Sequence, residues 1–419
     1  MLHDPSRHQP LSERQWDEDR VREAIRRVVA DTEAHFSAET FWPMHPRDVD
    51  GSDDAPAWPL YHGASGVIWA LDYLQAMGAI TLARDYAPFV ETLRARTAQR
   101  LATFGGNASS YLMGELPNLM LDYGIRRRSE TLDALAALIQ SNLDHPAREL
   151  MWGAPGTMLA ALFLHELTDD ARFADLFRTT ASKLHSQLEW SDEFRCAYWT
   201  QDLYGHRSTY LDAVHGFVAT ALPLIHGRHL FDEAIWNEWA ATIVNTIRAT
   251  ATHEEGRANW RPFLTSSPRG PLLMQFCHGA PGFVICLADI PGTDLDELLL
   301  AAGEAIWAAG PLVKGSNLCH GTAGNGYAFL KLYARTSDVR WLDRAHAFAM
   351  HAIEQTYAEE RVVGRMRYSL WTGDPGLAVY LLDCINETPR FPTLDVFFAR
   401  AAATAKARMP ATSVPGRER

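Results

Sequence analysis

The sequence predicts an all-α protein, an α/α toroid of seven inner and seven outer helices. Three observations predict it. A short glycine-containing turn recurs along the chain, a strongly apolar run follows each copy, and amphipathic segments rich in Arg, Glu and Ala lie between the units. Helices that are apolar nearly all round are buried, whereas a single apolar stripe marks a half-buried helix. Alternation of the two kinds at intervals of roughly 40 to 60 residues is the pattern of a helical repeat array.

The first turn reads His62-Gly63-Ala64-Ser65-Gly66, and the run after it carries Val67, Ile68, Leu71, Leu74 and Met77 on one face with Trp69, Ala70 and Tyr73 opposite. An amphipathic segment at residues 87–101 follows. A weak copy, Met113-Gly114-Glu115-Leu116-Pro117-Asn118, marks the second unit, with its outer segment at 131–142. Trp152-Gly153-Ala154-Pro155-Gly156 opens the third, with an apolar run at 158–164 and an outer segment at 170–188. The fourth, His215-Gly216-Phe217-Val218-Ala219, has Ala where a second glycine is expected, and residues 233–252 follow. Cys277-His278-Gly279-Ala280-Pro281-Gly282 leads into 283–287, and Cys319-His320-Gly321-Thr322-Ala323-Gly324 precedes an amphipathic stretch at 339–356. Thr372-Gly373-Asp374-Pro375-Gly376 begins the last run, 377–382. Short alternating stretches at 195–199 and 361–368 fit hairpins or loops.

The glycines permit positive φ and close passage of neighbouring loops at the centre of the ring. Each turn sets the N-terminus of an inner helix at one common end, where several helix dipoles favour anions such as thiolates. The organisation expected is a polar segment and first outer helix over residues 1–60, the toroid over 61–390, and a C-terminal helix and mobile tail over 391–419.

The formal net charge is −12, and hydrophobic residues make up 47% of the 419 positions. A net-acidic chain lacks the basic field that phosphate binding requires, so no nucleic-acid partner is expected. No apolar stretch reaches the ~18 residues of a membrane span, and the polar N-terminus does not read as a signal peptide. Five cysteines, few and widely spaced, argue against a disulfide framework and for a reducing cytoplasmic location.

Cys277 and Cys319 hold equivalent places in two consecutive repeats. With His320 they form a soft ligand set suited to Zn²⁺, and three ligands leave a coordination position open for water or a substrate thiol. Two inert buried cysteines at a shared repeat position are the other reading of the same residues. His278 suits either a ligand or a supporting role beside the site. His215 at the pocket end suits a general acid or base, with a structural histidine as the alternative, and His62 reads as structural. Asp202, Asp212, Glu149 and Asp374 are conceivable paired carboxylates. HExxH, GxxxxGK, GxGxxG and GxSxG motifs are absent.

These turns, above all Gln275-Phe276-Cys277-His278-Gly279-Ala280-Pro281-Gly282 and Leu318-Cys319-His320-Gly321-Thr322-Ala323-Gly324-Asn325, resemble those of the lanthionine synthetase C-like (LanC-like) proteins, over residues 62–382. The resemblance implies the same α/α toroid, zinc on Cys277, Cys319 and His320, and a catalytic His215. It implies addition of a thiol to dehydroalanine or dehydrobutyrine, giving a thioether. Two features point toward the eukaryotic-type, glutathione-associated branch. Glu149 stands where the peptide cyclases carry Asp, and Lys314 matches a basic residue of that branch. Lys314, with Arg365 or Arg367, would then meet a glutathione carboxylate. Phe276 replaces the family's Trp, and Ala219 replaces a turn glycine near His215. The implied partners are a thiol, either glutathione or a precursor-peptide cysteine, and a peptide or protein carrying a dehydroamino acid. Intramolecular lanthionine cyclisation, a non-catalytic zinc- or glutathione-binding scaffold, and a two-carboxylate toroid glycosidase are the competing readings.

Overall fold

A computed structural model describes residues 1–49, 57–265 and 272–399 of the chain. Fourteen helices are found among the described residues. In chain order they are α1 (Glu18–Ala34), α2 (Ala64–Ala76), α3 (Phe89–Phe104), α4 (Leu116–Arg126), α5 (Ser129–Ser141), α6 (Ala154–Thr168) and α7 (Ala171–Ser186). Then come α8 (Phe217–His226), α9 (Glu233–Thr250), α10 (Ala280–Leu287), α11 (Asp296–Ala309), α12 (Thr322–Thr336), α13 (Val339–Val363) and α14 (Asp374–Ile385).

The even-numbered helices are the inner ring and the odd-numbered ones the outer. In α10 every residue is buried, and α2 is buried from Ala64 through Leu71. α1 instead buries one stripe, Val21, Ala24, Ile25, Val28, Val29 and Thr32. Its start is set by Asp17, whose carboxylate accepts the Arg20 N–H at 3.1 Å. α14 packs against α2, which closes the inner ring, and α1 packs on α14 beside α13.

Among the described residues three two-stranded hairpins decorate the ring: β1 (Glu189–Ser191) with β2 (Cys196–Tyr198), β3 (Gln201–Leu203) with β4 (His206–Ser208), and β5 (Ala251–Glu254) with β6 (Arg257–Trp260). The alternating stretch at 195–199 is thus part of a hairpin. That at 361–368 is not, because α13 continues to Val363 and stops at Gly364, whose φ of 83° accepts the left-handed cap.

The expected C-terminal helix and tail fall, from residue 400 onward, outside the described residues. Residues 391–399 are packed into the core beneath the ring. Phe391 stacks on Phe276 at 4.6 Å between ring centres, the Trp69 indole donates to the Phe397 carbonyl at 2.7 Å, and Tyr111 donates to the Thr393 carbonyl at 2.6 Å. Among the described residues no helix is long and apolar enough to cross a membrane.

Candidate metal centre and active site

The seven turns are joined to one another by backbone hydrogen bonds. Cys277 N donates to Cys319 O, Cys319 N to Trp371 O, Trp371 N to Tyr61 O, Tyr61 N to Leu112 O, Leu112 N to Met151 O, and Leu150 N to Val214 O. This circuit passes over the ring closure and sets Cys277 directly beside Cys319. The turn glycines make it possible mainly through the side chain they lack. A Cβ on Gly324 would stand 1.9 Å from the Leu318 carbonyl oxygen, and one on Gly66 would stand 2.7 Å from the Cβ of Leu370. Positive φ matters less than the sequence suggests. Of the glycines that cap inner helices only Gly279, at 113°, is in that region, whereas Gly63, Gly216, Gly321 and Gly373 are extended.

Cys277, Cys319 and His320 offer ligand atoms that all lie within 4.8 Å of one another. His320 can share an ion with its neighbour Cys319 because both precede α12, on the turn, where the Asn317 side chain accepts the His320 N–H at 3.0 Å. Each sulfur accepts a hydrogen bond, from Gln275 Nε2 to Cys277 and from the Tyr61 hydroxyl to Cys319, both at 2.9 Å. The hydrogen bond from Cys277 holds the Cys319 thiol below its ordinary value against the effect of burial, with Tyr61 and Lys314 assisting. The same bond, burial and the Cys319 charge push Cys277 up. Cys319 is therefore the more acidic of the two sulfurs. Burial, with the Lys314 and Arg367 charges, pushes His320 down to about 3, so its imidazole is neutral and free to ligate.

Two imidazole–carboxylate pairs stand beside this cluster. His215 Nδ1 lies 2.8 Å from Glu149 Oε2, and His278 Nδ1 lies 2.8 Å from Asp212 Oδ2. Burial acts to lower both histidines, but the Glu149 and Asp212 carboxylates outweigh it and raise both. The same carboxylates brace the turns: Glu149 accepts the Met151 and Trp152 N–H groups, and Asp212 accepts those of Val214 and His215. His278 is thus tied to Asp212 next to the cysteine cluster. Sequence reasoning offered Glu149 and Asp212 as conceivable paired carboxylates, and Glu149 also as a marker of the branch, but neither as the partner of a histidine. The signal was their spacing, three residues before the leading residue of a turn, as in Asn317 before His320. A side-chain oxygen there can reach the N–H groups of the turn. Of the other two, Asp202 sits on the exposed side of β3, and Asp374 accepts the Arg367 N–H inside the seventh turn.

The site opens into a cavity of about 700 Å³ whose lining includes Tyr61, Trp152, His215, Lys314, His320 and Arg367. Arg367 is paired with Asp48, its Nε 2.7 Å from Oδ2. His62 and Arg47 also line the cavity. Arg365 is not brought to it, and its guanidinium donates to the Met44 carbonyl at 2.6 Å. Ala219 leaves the fourth turn intact, with its N–H on the Asp212 carbonyl and His215 held by Glu149.

Residues 56–396 match the family described as lanthionine synthetase C-like protein. The chain belongs to the lanthionine synthetase C-like family. Among curated relatives, the LanC-like protein GCL1 of Arabidopsis thaliana is 27% identical over 261 residues, 59% of this chain and 58% of that protein. A Danio rerio protein named glutathione S-transferase LANCL1 is 37% identical over 130 residues, 30% of this chain and 32% of its own length. These matches thus span less than two thirds of either relative. Nisin cyclase has the same fold, with a TM-score of 0.62 at 16% identity over 91% of this chain and 99% of its own. The toroid seen here is therefore the LanC-like fold, and the sequence relatives agree with the resemblance to the glutathione-associated branch.

Proposed function

We propose that this protein joins a thiol, preferentially glutathione, to the β-carbon of a dehydroalanine or dehydrobutyrine in a peptide or protein, forming a thioether. The observation that carries this reading is the convergence of Cys277, Cys319 and His320 within 4.8 Å beside the His215–Glu149 pair, at a cavity lined by Lys314.

The donor set fits zinc. Ligand atoms around a tetrahedral zinc stand about 3.5–4 Å apart, two sulfurs and an imidazole are a common zinc set, and hydrogen bonds to both sulfurs supply the outer support such sites use. When bound, zinc would lower the pKa of an entering thiol and keep its sulfur available as the nucleophile. The residues of the chain account for the rest. Lys314 is exposed in the cavity lining and offers a cation to a glutathione carboxylate, whereas Arg47 on the same lining is paired with Glu359 at 3.2 Å. The Arg367 charge is already balanced by Asp48, so its contribution is to the local potential. As the sulfur bonds to the β-carbon, the alkene electron pair moves toward the carbonyl and the α-carbon needs a proton. His215, raised by Glu149, holds its proton to higher pH than an ordinary histidine and delivers it there. Thiol and alkene combine with no atom lost, so no oxidant is needed.

The test is to mix the zinc-loaded protein with glutathione and a peptide containing a single dehydrobutyrine, then weigh the product. A mass gain of one glutathione per peptide is expected. If the peptide closes on its own cysteine while glutathione is ignored, the reaction is lanthionine cyclisation. If both thiols are refused while zinc is bound, the protein is a binding scaffold and the reading fails.

A further inference from the structure

The tip of the β3–β4 hairpin reaches the same cavity. Leu203 pairs with His206, so the loop between them has two residues, Tyr204 and Gly205, with φ of 54° and 76°. Two-residue loops of this handedness favour Asn-Gly or Asp-Gly, because both positions require the left-handed region. Gly205 satisfies that preference and Tyr204 works against it. Tyr204 is moreover 66% exposed, an aromatic ring that contributes little to the core. A costly backbone conformation that the core does not need calls for a reason at the site.

The surroundings of the ring supply one. Its hydroxyl accepts the Trp152 Nε1–H at 3.0 Å, which fixes the oxygen. Its own proton is spent on the Met151 sulfur at 3.7 Å, a weak acceptor that a carboxamide oxygen would displace. The ring stands edge-on to His215, 6.1 Å between centres. Trp152, Tyr204 and Met151 touch one another and form an aromatic side of the cavity lining.

Resting on the thiol-addition reading above, we propose that the Tyr204 hydroxyl donates a hydrogen bond to the carbonyl oxygen of the dehydroamino acid, which lies on this aromatic side. As the C–S bond forms, the alkene pair moves to the carbonyl oxygen as an enolate, and Tyr204 stabilises that charge. The pair returns to the α-carbon when His215 delivers its proton.

The experiment compares Tyr204→Phe and Tyr204→Asn with the wild type, using glutathione and the dehydrobutyrine peptide. Loss of a single donor to a developing oxyanion lowers kcat on the order of 100-fold, and the KM for glutathione should not move. Tyr204→Asn should lower kcat equally while raising Tm, since Asn suits the left-handed position. Trp152→Phe should lower kcat less than Tyr204→Phe, and the double variant no further than Tyr204→Phe alone. A Tyr204→Phe protein with wild-type kcat overturns the assignment, as does a Tyr204→Asn protein that loses Tm. An inactive wild type would instead overturn the thiol-addition reading, leaving the Tm comparison to report on the strained tip.

Discussion

Among the described residues the toroid carries two clusters of metal-ligating side chains, one at each end of the inner helices, and they are not equivalent. At the turn end Cys277, Cys319 and His320 converge. At the opposite end His226, Asp289 and Asp395 are equally close. The second cluster already holds a cation. The ammonium of Lys331, 3% exposed, lies 2.6 Å from Asp289 and 2.8 Å from Asp395, and this pairing tethers the segment after α14 to the floor of the ring. Lys331 is held above its ordinary range by those carboxylates despite burial. The sulfurs of the cysteine cluster instead accept from neutral groups, the Gln275 amide and the Tyr61 hydroxyl, so a divalent ion there would meet no ammonium among those partners. Proximity of ligands is thus insufficient to identify a metal site. What distinguishes one is charge left unbalanced by the protein itself.

The sharpest contrast comes from removing one group at each end. Cys319→Ala should take bound zinc, read by elemental analysis, from about one equivalent to none and abolish thioether formation, with the helical circular dichroism retained. Lys331→Met should leave zinc content unchanged and cost about 3 kcal/mol of stability in denaturant unfolding, because it strands the buried Asp395 carboxylate, whereas the half-exposed Asp289 keeps its water. If Lys331→Met loses zinc while Cys319→Ala keeps it, the two ends have been assigned the wrong way round.

Smaller effects refine the active end. His215→Asn should lower kcat by about 10²–10⁴-fold, the usual contribution of a positioned acid. Glu149→Gln removes the charge that raises His215, so the fall in rate at high pH, where the acid has lost its proton, should begin at lower pH than in the wild type. An unchanged pH–rate profile would remove Glu149 from that role.

The smallest effect belongs to the closed interior. Asp383 is fully buried, with Tyr73 and Tyr327 donating to its two oxygens at 2.8 and 2.7 Å. Burial pushes it up to about 7. The unfolded chain ionises this group near pH 4, whereas the folded protein keeps the proton. Its contribution to stability is therefore complete below pH 4 and is lost as pH rises through about 7. Asp383→Asn should flatten that slope in Tm measured from pH 4 to 8.

Most of the ring was legible because repetition is a local signal. Glycine turns, the apolar runs after them and the amphipathic segments each occupy a dozen residues or so, and all seven units were found, including the weak one at Met113-Gly114. The ligand triad was legible for the same reason, since Cys277 and Cys319 share a repeat position. What escaped were pairings across the chain. Nothing near Arg365 announces the Met44 carbonyl, and nothing near Arg367 announces Asp48. The partners of the sulfurs, Tyr61 and Gln275, are ordinary polar residues until the circuit of turns brings Tyr61 beside Cys319. Glu149 illustrates an intermediate case: its place before the third turn was noticed, but its bond to His215 spans 66 residues. The continuation of α13 past residue 361 escaped because the alternating pattern there competes with a helix that a single glycine ends.

The circuit of turns also makes the candidate zinc centre a report on the wholeness of the chain. A nascent polypeptide that has emerged through residue 330 already owns both cysteines and the histidine. It lacks Trp371, whose carbonyl receives the Cys319 N–H and whose own N–H reaches back to Tyr61. Until that late residue arrives, the Cys319 turn lacks the backbone bonds that tie it to the first turn. Metal uptake should then follow completion of synthesis, and an ion retained by the protein certifies that its first and last inner helices have met.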